Sequence, residues 1–190
     1  VRILVFGGTF SPVHWGHLVL AEEVREEFSY DLVLLVPALQ PPHKDTRGEP
    51  GPAHRLEMLR LAIEGNPSLA VDDCELSRPG PSYTIDTLRG LGSRWSLDGK
   101  PGLVLGDDLV RGFPSWKEPD AIAAEADLIV ARRTGQDVDL PYPHCRAGNR
   151  LVVLSSSDIR ERIGQGLSIR YLVPESVRAY IRDQGLYGAR

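Results

Sequence analysis

The chain has 190 residues, 42% hydrophobic and 25% charged, with a formal net charge of -4, a length and balance that suit one globular domain, 1–190, and leave too little chain for two. The acidic excess gives no overall basic field and argues against nucleic acid as a partner, and the longest apolar runs are strand-sized, far short of a membrane span. Cys74 and Cys145 form neither a C-x-x-C pair nor a zinc set, and no charged-apolar-small leader opens the chain, so free thiols in the cytoplasm are expected.

Arg2-Ile3-Leu4-Val5-Phe6 predicts a buried first strand. Gly7-Gly8-Thr9-Phe10-Ser11-Pro12-Val13-His14-Trp15-Gly16-His17 then leads into a helix with Leu18, Ala21, Val24 and Phe28 inward and Glu22, Glu23, Arg25, Glu26 and Glu27 on the outer face. Such a strand-to-helix turn is an anion site, because glycines let the backbone approach a ligand and the first N–H groups of a helix lack internal acceptors. His14 and His17, three apart, fall on one side of the first turn and point at the same anion. The apolar run 32–36, ended by Pro37, predicts a central parallel strand and completes a βαβ unit.

Residues 37–52 read as a long exposed loop, in which Pro41-Pro42-His43-Lys44 stiffens the backbone before a lysine that either meets a phosphate or is simply solvated. A helix over 53–64 carries Leu56, Leu59, Ala62 and Ile63 inward, and 69–76 reads as a third strand. Arg78-Pro79-Gly80-Pro81-Ser82-Tyr83-Thr84 turns the chain into a third helix, with Ser82 or Thr84 as its N-cap and Ile85, Leu88 and Trp95 buried.

Leu103-Val104-Leu105 is the fourth strand, and Gly106-Asp107-Asp108 lies at its carboxyl end, where open parallel sheets collect ligands. Trp116 sits in a Pro-flanked loop as a lid or a stacking platform. A short helix over 121–126 and a fifth strand over 128–131 follow, while 133–149 is irregular and carries no assignable chemistry. A sixth strand is expected over 151–154, then Ser155-Ser156-Ser157-Asp158-Ile159-Arg160, a second helix start with an N-cap, free N–H donors and a bidentate cation. A packing helix with Val177, Tyr180 and Ile181 on one face closes the chain. The expected fold is α/β, a doubly wound, Rossmann-like, mostly parallel sheet with helices on both faces.

This much basic and N–H functionality around one crevice implies a polyphosphate. Neither G-x-x-x-x-G-K-[ST] nor G-x-G-x-x-G is present, which removes the usual kinase and dehydrogenase loops. Gly8-Thr9-Phe10 with His14-Trp15-Gly16-His17, and 155–160, resemble the two signatures of the nucleotidyltransferase superfamily, H-x-G-H and I-S-S-T-x-x-R. Within it, Pro41-Pro42-His43-Lys44, the stretch 78–88, Gly106-Asp107, Trp116 and 177–187 resemble the bacterial nicotinate-nucleotide adenylyltransferase family over nearly the full length.

The resemblance implies attack of the 5′-phosphate of nicotinate mononucleotide on the α-phosphorus of ATP, with release of pyrophosphate. It makes His14 and His17 catalytic. It places Gly8, Thr9, Phe10, His14, His17, Lys44, Gly106, Asp107, Ser155, Ser156, Ile159 and Arg160 on the ATP side, and Tyr83, Thr84 and Trp116 on the pyridine nucleotide. Mg²⁺ is implied as an ion delivered with ATP, since no carboxylate cluster suggests a protein-built cage. Ser11 stands where that family usually has Asp, and Ser157 where Thr is common. Taken alone, the two histidines also allow a zinc pair or a polar helix cap, though no further zinc ligands stand nearby in sequence. Nearer alternatives are adenylyltransferases for nicotinamide mononucleotide or phosphopantetheine and, from another class, a nucleotide-binding sensor without turnover. A homo-oligomer is left open.

Overall fold

The computed structural model describes residues 1–41 and 48–189. Its elements in chain order are β1 (Ile3–Gly8), α1 (Trp15–Glu27), β2 (Leu32–Pro37), α2 (Pro52–Ile63), β3 (Leu69–Val71), α3 (Thr84–Arg94), β4 (Gly102–Gly106), α4 (Pro119–Glu125), β5 (Asp127–Ala131), β6 (His144–Arg146), α5 (Ser156–Gly164) and α6 (Glu175–Asp183), with 3₁₀ turns over Val110–Ser115 and Leu186–Gly188. The strands form one sheet in the order β3-β2-β1-β4-β5-β6, and every pairing is parallel. This is the expected doubly wound fold. The strand order reverses between β1 and β4, so Gly8 and Gly106 end neighbouring strands at the switch point, where such sheets bind ligands.

Side chains alternate across the sheet with a period of two. Leu4, Phe6, Val33, Leu35, Val104 and Ile129 face α1, α2, α5 and α6, while Ile3, Val5, Leu34, Leu103, Leu105 and Leu128 face α3 and α4. Each such side chain taken out of water contributes about 1.5–3 kcal/mol, which is why near-continuous apolar strands are stable here.

The structure corrects several expectations. The third strand stops at Val71, because the Asp72 carboxylate accepts from the Cys74 N–H at 3.0 Å and from Arg94 Nε at 3.1 Å and turns the chain away from the sheet. The sixth strand is not 151–154 but His144–Arg146, within the stretch read as irregular. The apolar run 151–154 remains unpaired because the donors leading into it go to α1. Glu27 accepts from the Gly148 N–H at 2.9 Å and Glu23 from the Arg150 N–H at 2.8 Å, and Val153 is 83% exposed.

In α2 the buried residues are Arg55, Met58 and Leu59, with Leu56, Ala62 and Ile63 only half-buried. Trp95 is half-buried at the end of α3. The N-cap of α3 is Tyr83, without a side-chain cap bond, while the Ser82 hydroxyl accepts from the Leu39 N–H instead. No helix among the described residues is long and apolar enough to cross a membrane.

Candidate active site

The turn from β1 into α1 places the two histidines. His14 is the extended N-cap of α1 and His17 its third helical residue, so the rings stack with centroids 3.7 Å apart and planes inclined by 27°. His17 Nδ1 accepts from the backbone N–H of His14 at 3.3 Å. That bond leaves Nδ1 unprotonated and puts the proton of the neutral ring on Nε2. Phe10 closes the other side of His17 edge-on at 5.0 Å.

Gly16 lets the His14 ring sit close, since a Cβ there would crowd His14 Nδ1 at 3.0 Å and press the ring away by a few tenths of an ångström. Gly8 faces the ring of Phe10 in the same way, at 3.0 Å.

His14 is 2% and His17 6% exposed. Burial, aided by the nearby Arg133 guanidinium and opposed by Asp158, pushes His14 down to about 4. Burial, then His14, then Arg133 hold His17 well below the ordinary histidine range. Both rings are therefore neutral at physiological pH. Among the described residues neither ring nitrogen of His14 meets a hydrogen-bond partner, an arrangement that costs free energy unless a polar ligand completes it.

The backbone of the turn is held by its carbonyls. Thr9 O accepts from Arg55 Nη1 at 2.9 Å, Ser11 O from Arg160 Nη1 at 2.7 Å and Pro12 O from Ser156 Oγ at 2.9 Å. Phe10 between them lies in the left-handed region at φ 50°, a conformation that an L-residue keeps only when its surroundings impose it. Ser11 is fully buried and its hydroxyl pairs with the Tyr187 hydroxyl at 3.1 Å, so the last 3₁₀ turn braces the site. Burial pushes the Tyr187 phenol up to about 12, which keeps it protonated beside Ser11.

Ser155 caps α5, accepting from the Asp158 N–H at 3.0 Å. Arg160 also donates to Ser157 Oγ at 3.2 Å and lies 3.4 Å from Glu49 Oε1. Ile159 is fully buried and anchors α5 in the core. At the end of β4 Gly106 is buried, and both Asp107 carboxylate oxygens are engaged. They accept from Thr134 N and Oγ1, each at 2.8 Å, from Gly135 N at 2.7 Å and from Gln136 N at 3.1 Å. These bonds outweigh desolvation and hold the Asp107 carboxyl below its usual range. The side chain thus ties β4 to the loop after β5.

Tyr83 and Thr84 open α3, where Lys117 Nζ lies 4.7 Å over the Tyr83 ring and pairs with Asp86 at 3.1 Å. Trp116 is half-buried against Phe113, with ring centroids 5.2 Å apart. Pro42, His43 and Lys44 lie outside the described residues.

Sequence reasoning missed Arg55 and three arginines that face the histidines. A small cleft beside the pair is lined by His14, His17, Arg132, Arg133, Arg150 and Leu154. The strand-end rule that singled out Gly106 and Asp107 also marks Arg132 and Arg133, at the carboxyl end of β5, where Arg133 opens the stretch 133–149 that reads as irregular. Among the described residues no group of three or more His, Cys, Asp or Glu could hold a metal ion.

The cytidylyltransferase-like family matches residues 5–162. A protein of Thermomicrobium roseum named "Probable nicotinate-nucleotide adenylyltransferase" is 43% identical over 196 aligned residues, covering 98% of this chain and 91% of its own length. One of the same name from Geobacillus thermodenitrificans is 40% identical, covering 100% and 87%. The fold is shared with nicotinic acid mononucleotide adenylyltransferase of Plasmodium falciparum complexed with NaAD, at a TM-score of 0.82 and 19% identity over 100% of this chain and 98% of that one. With the histidine turn at the β1–α1 junction and the serine-rich start of α5 packed against it, the chain belongs to the cytidylyltransferase-like family and, within it, to the nicotinate-nucleotide adenylyltransferases.

Proposed function

We propose that this chain transfers the adenylyl group of ATP to nicotinate mononucleotide, forming nicotinate adenine dinucleotide and releasing pyrophosphate. The observation that carries this reading is the buried, neutral, stacked His14–His17 pair at the switch point, with Arg133 alongside and with His14 ring nitrogens that meet no partner among the described residues. In the reaction a phosphate oxygen of the mononucleotide forms a bond to the α-phosphorus of ATP while the bond to the bridging oxygen of pyrophosphate breaks. The nucleophile is already an anion, so no general base is needed. Catalysis rests on in-line placement and on donors aimed where negative charge grows. Neutral imidazole N–H groups suit that task, because their interaction strengthens most as charge develops on the leaving oxygen.

In this reading His14 and His17 hold the ATP phosphates together with the N–H groups that open α5, near Ser155 and Ser156, while at the start of α1 the Trp15 N–H already donates to Leu172 O at 3.2 Å and the His17 N–H to His14 O at 2.9 Å. Arg160 contributes charge and also fixes the Ser11 carbonyl. Lys44 joins them from the loop after β2, a role that rests on its sequence pattern. Gly8, Thr9 and Phe10 shape the turn, Gly106 lies on the adenosine side, Ile159 acts there only by anchoring α5 in the core, and Asp107 by holding the 134–136 turn. His14, His17 and Arg160 supply no carboxylate cage for a metal, so Mg²⁺ would be brought in with ATP beside them and would supply neutralisation of the phosphate charge. The start of α3, which has no side-chain cap, receives the nicotinate carboxylate near Thr84, and Tyr83 and Trp116 flank the ring. An anion gains more there than a neutral amide does, so the acid is favoured. The same reading makes this a cytoplasmic enzyme, alone or as a homo-oligomer, with no nucleic-acid or membrane partner.

The test is pyrophosphate release from Mg-ATP with nicotinate mononucleotide, nicotinamide mononucleotide or phosphopantetheine as acceptor. Release with the first, and weaker release with the second, is expected. Release only with phosphopantetheine, or tight ATP binding with no pyrophosphate from any acceptor, would overturn the assignment.

A further inference from the structure

Glu75 is a buried carboxyl group that the mechanism above does not use. It is 7% exposed, in the turn that follows β3, and burial raises its pKa against the pull of its hydrogen bonds. Thr87 Oγ1 donates to Glu75 Oε1 at 2.5 Å, and the nearby Ser82 hydroxyl favours the ionised carboxyl. Both hydroxyls also accept from other donors. Ser82 Oγ accepts from the Leu39 N–H at 2.9 Å and from the Gln40 N–H at 3.4 Å, and Thr87 Oγ1 accepts from Arg78 Nη2 at 3.1 Å. A hydroxyl has one proton to give. Thr87 sends it to Glu75, and the same carboxyl is the acceptor at hand for Ser82. The Ser82 N–H also donates to Gln40 O at 3.0 Å, so the segment after β2 is fastened to this turn from both sides.

The two anchored residues bracket Tyr83 and Thr84 and span the first turn of α3. We propose that Glu75 is the positioning residue of the mononucleotide subsite: its buried carboxylate holds Ser82 and Thr87 on either side of Tyr83-Thr84 and, through Ser82, fixes Leu39 and Gln40 against the start of α3. This rests on the assignment of that helix start to the pyridine nucleotide. The carboxylate is chosen over a neutral side chain because a glutamine keeps one acceptor oxygen where the carboxylate offers two, and adds an N–H₂ group that Ser82 Oγ, already accepting from two N–H groups, cannot satisfy.

The test uses the full-length protein as wild type, Glu75→Gln, Ser82→Ala and the double variant. Two readouts are taken. Amide hydrogen exchange, read without substrate, should be at least about tenfold faster at Leu39 and Gln40 in Glu75→Gln, because their acceptor is no longer held. The KM for nicotinate mononucleotide should rise by roughly tenfold while that for ATP stays within about twofold, and the double variant should lose little beyond the worse single one, since the residues act as a unit. Unchanged exchange at Leu39 and Gln40, or equal rises in both KM values, would overturn the proposal. Wild-type protein that does not use nicotinate mononucleotide would instead overturn the substrate assignment, and the exchange readout would still decide whether Glu75 holds the segment.

Discussion

His14 and His17 are kept neutral by burial and by the nearby Arg133 guanidinium, with His14 adding to the effect on His17, and this has a measurable consequence for acid stability. A histidine whose folded pKa lies below its unfolded value takes up a proton in the unfolded chain first. The unfolded state then binds more protons between about 6.5 and about 4, so stability falls as the pH drops through that window and is fully present above it. At about 1.4 kcal/mol per pH unit, the gap for His14 amounts to roughly 3 kcal/mol. Urea unfolding between pH 7 and 4 should show this slope in wild type and a shallower one in His14→Asn. His17→Ala removes an Nε2–H donor beside the phosphates and should lower turnover by roughly 10²–10³ with the circular dichroism spectrum unchanged. Near-normal turnover would remove His17 from the mechanism. Ser11 also becomes intelligible at this scale, because its hydroxyl matches the protonated phenol of Tyr187, where a carboxylate would bring a charge into a fully buried position.

At the scale of elements, the apolar run 151–154 has the composition of a strand and yet is not one. Strand formation needs a partner edge for the backbone, and here the donors at Gly148 and Arg150 are taken by Glu27 and Glu23 of α1. Those glutamates look like a solvated helix face in the sequence, and only their contacts across more than a hundred residues reveal them as anchors. Val153→Asp should therefore change stability by no more than about 0.5 kcal/mol, whereas Leu105→Ala in the fully buried β4 should cost about 2–5 kcal/mol, as read from chemical denaturation. A large loss at Val153 would mean that the run is packed after all. The true edge strand, His144–Arg146, is three residues long and carries no apolar alternation, so periodicity could not find it.

For the whole molecule, the turn at residues 9–12 is where distant parts of the chain meet. Arg55 reaches it from α2, Arg160 from α5 and Tyr187 from the last turn, across 46, 149 and 176 residues of sequence. Arg55→Met leaves the Thr9 carbonyl without its donor and should lower kcat/KM by about tenfold or more with a fall of a few degrees in Tm, read from initial rates and a thermal melt. The strands β1, β2, β4 and β5, the glycine-histidine turn, the capped start of α5 and the order of motifs were legible in the sequence because each rests on local signals: unbroken apolar runs, glycine placement, helical spacing. The neutral state of the histidines, the engagement of Asp107 by the 134–136 turn, the burial of Arg55 and Glu75 and the braces on the turn were decided only by the tertiary structure. Protonation and hydrogen-bond pairing depend on how deeply a group is buried and on which donors arrive beside it, and those donors come from residues far away in the chain.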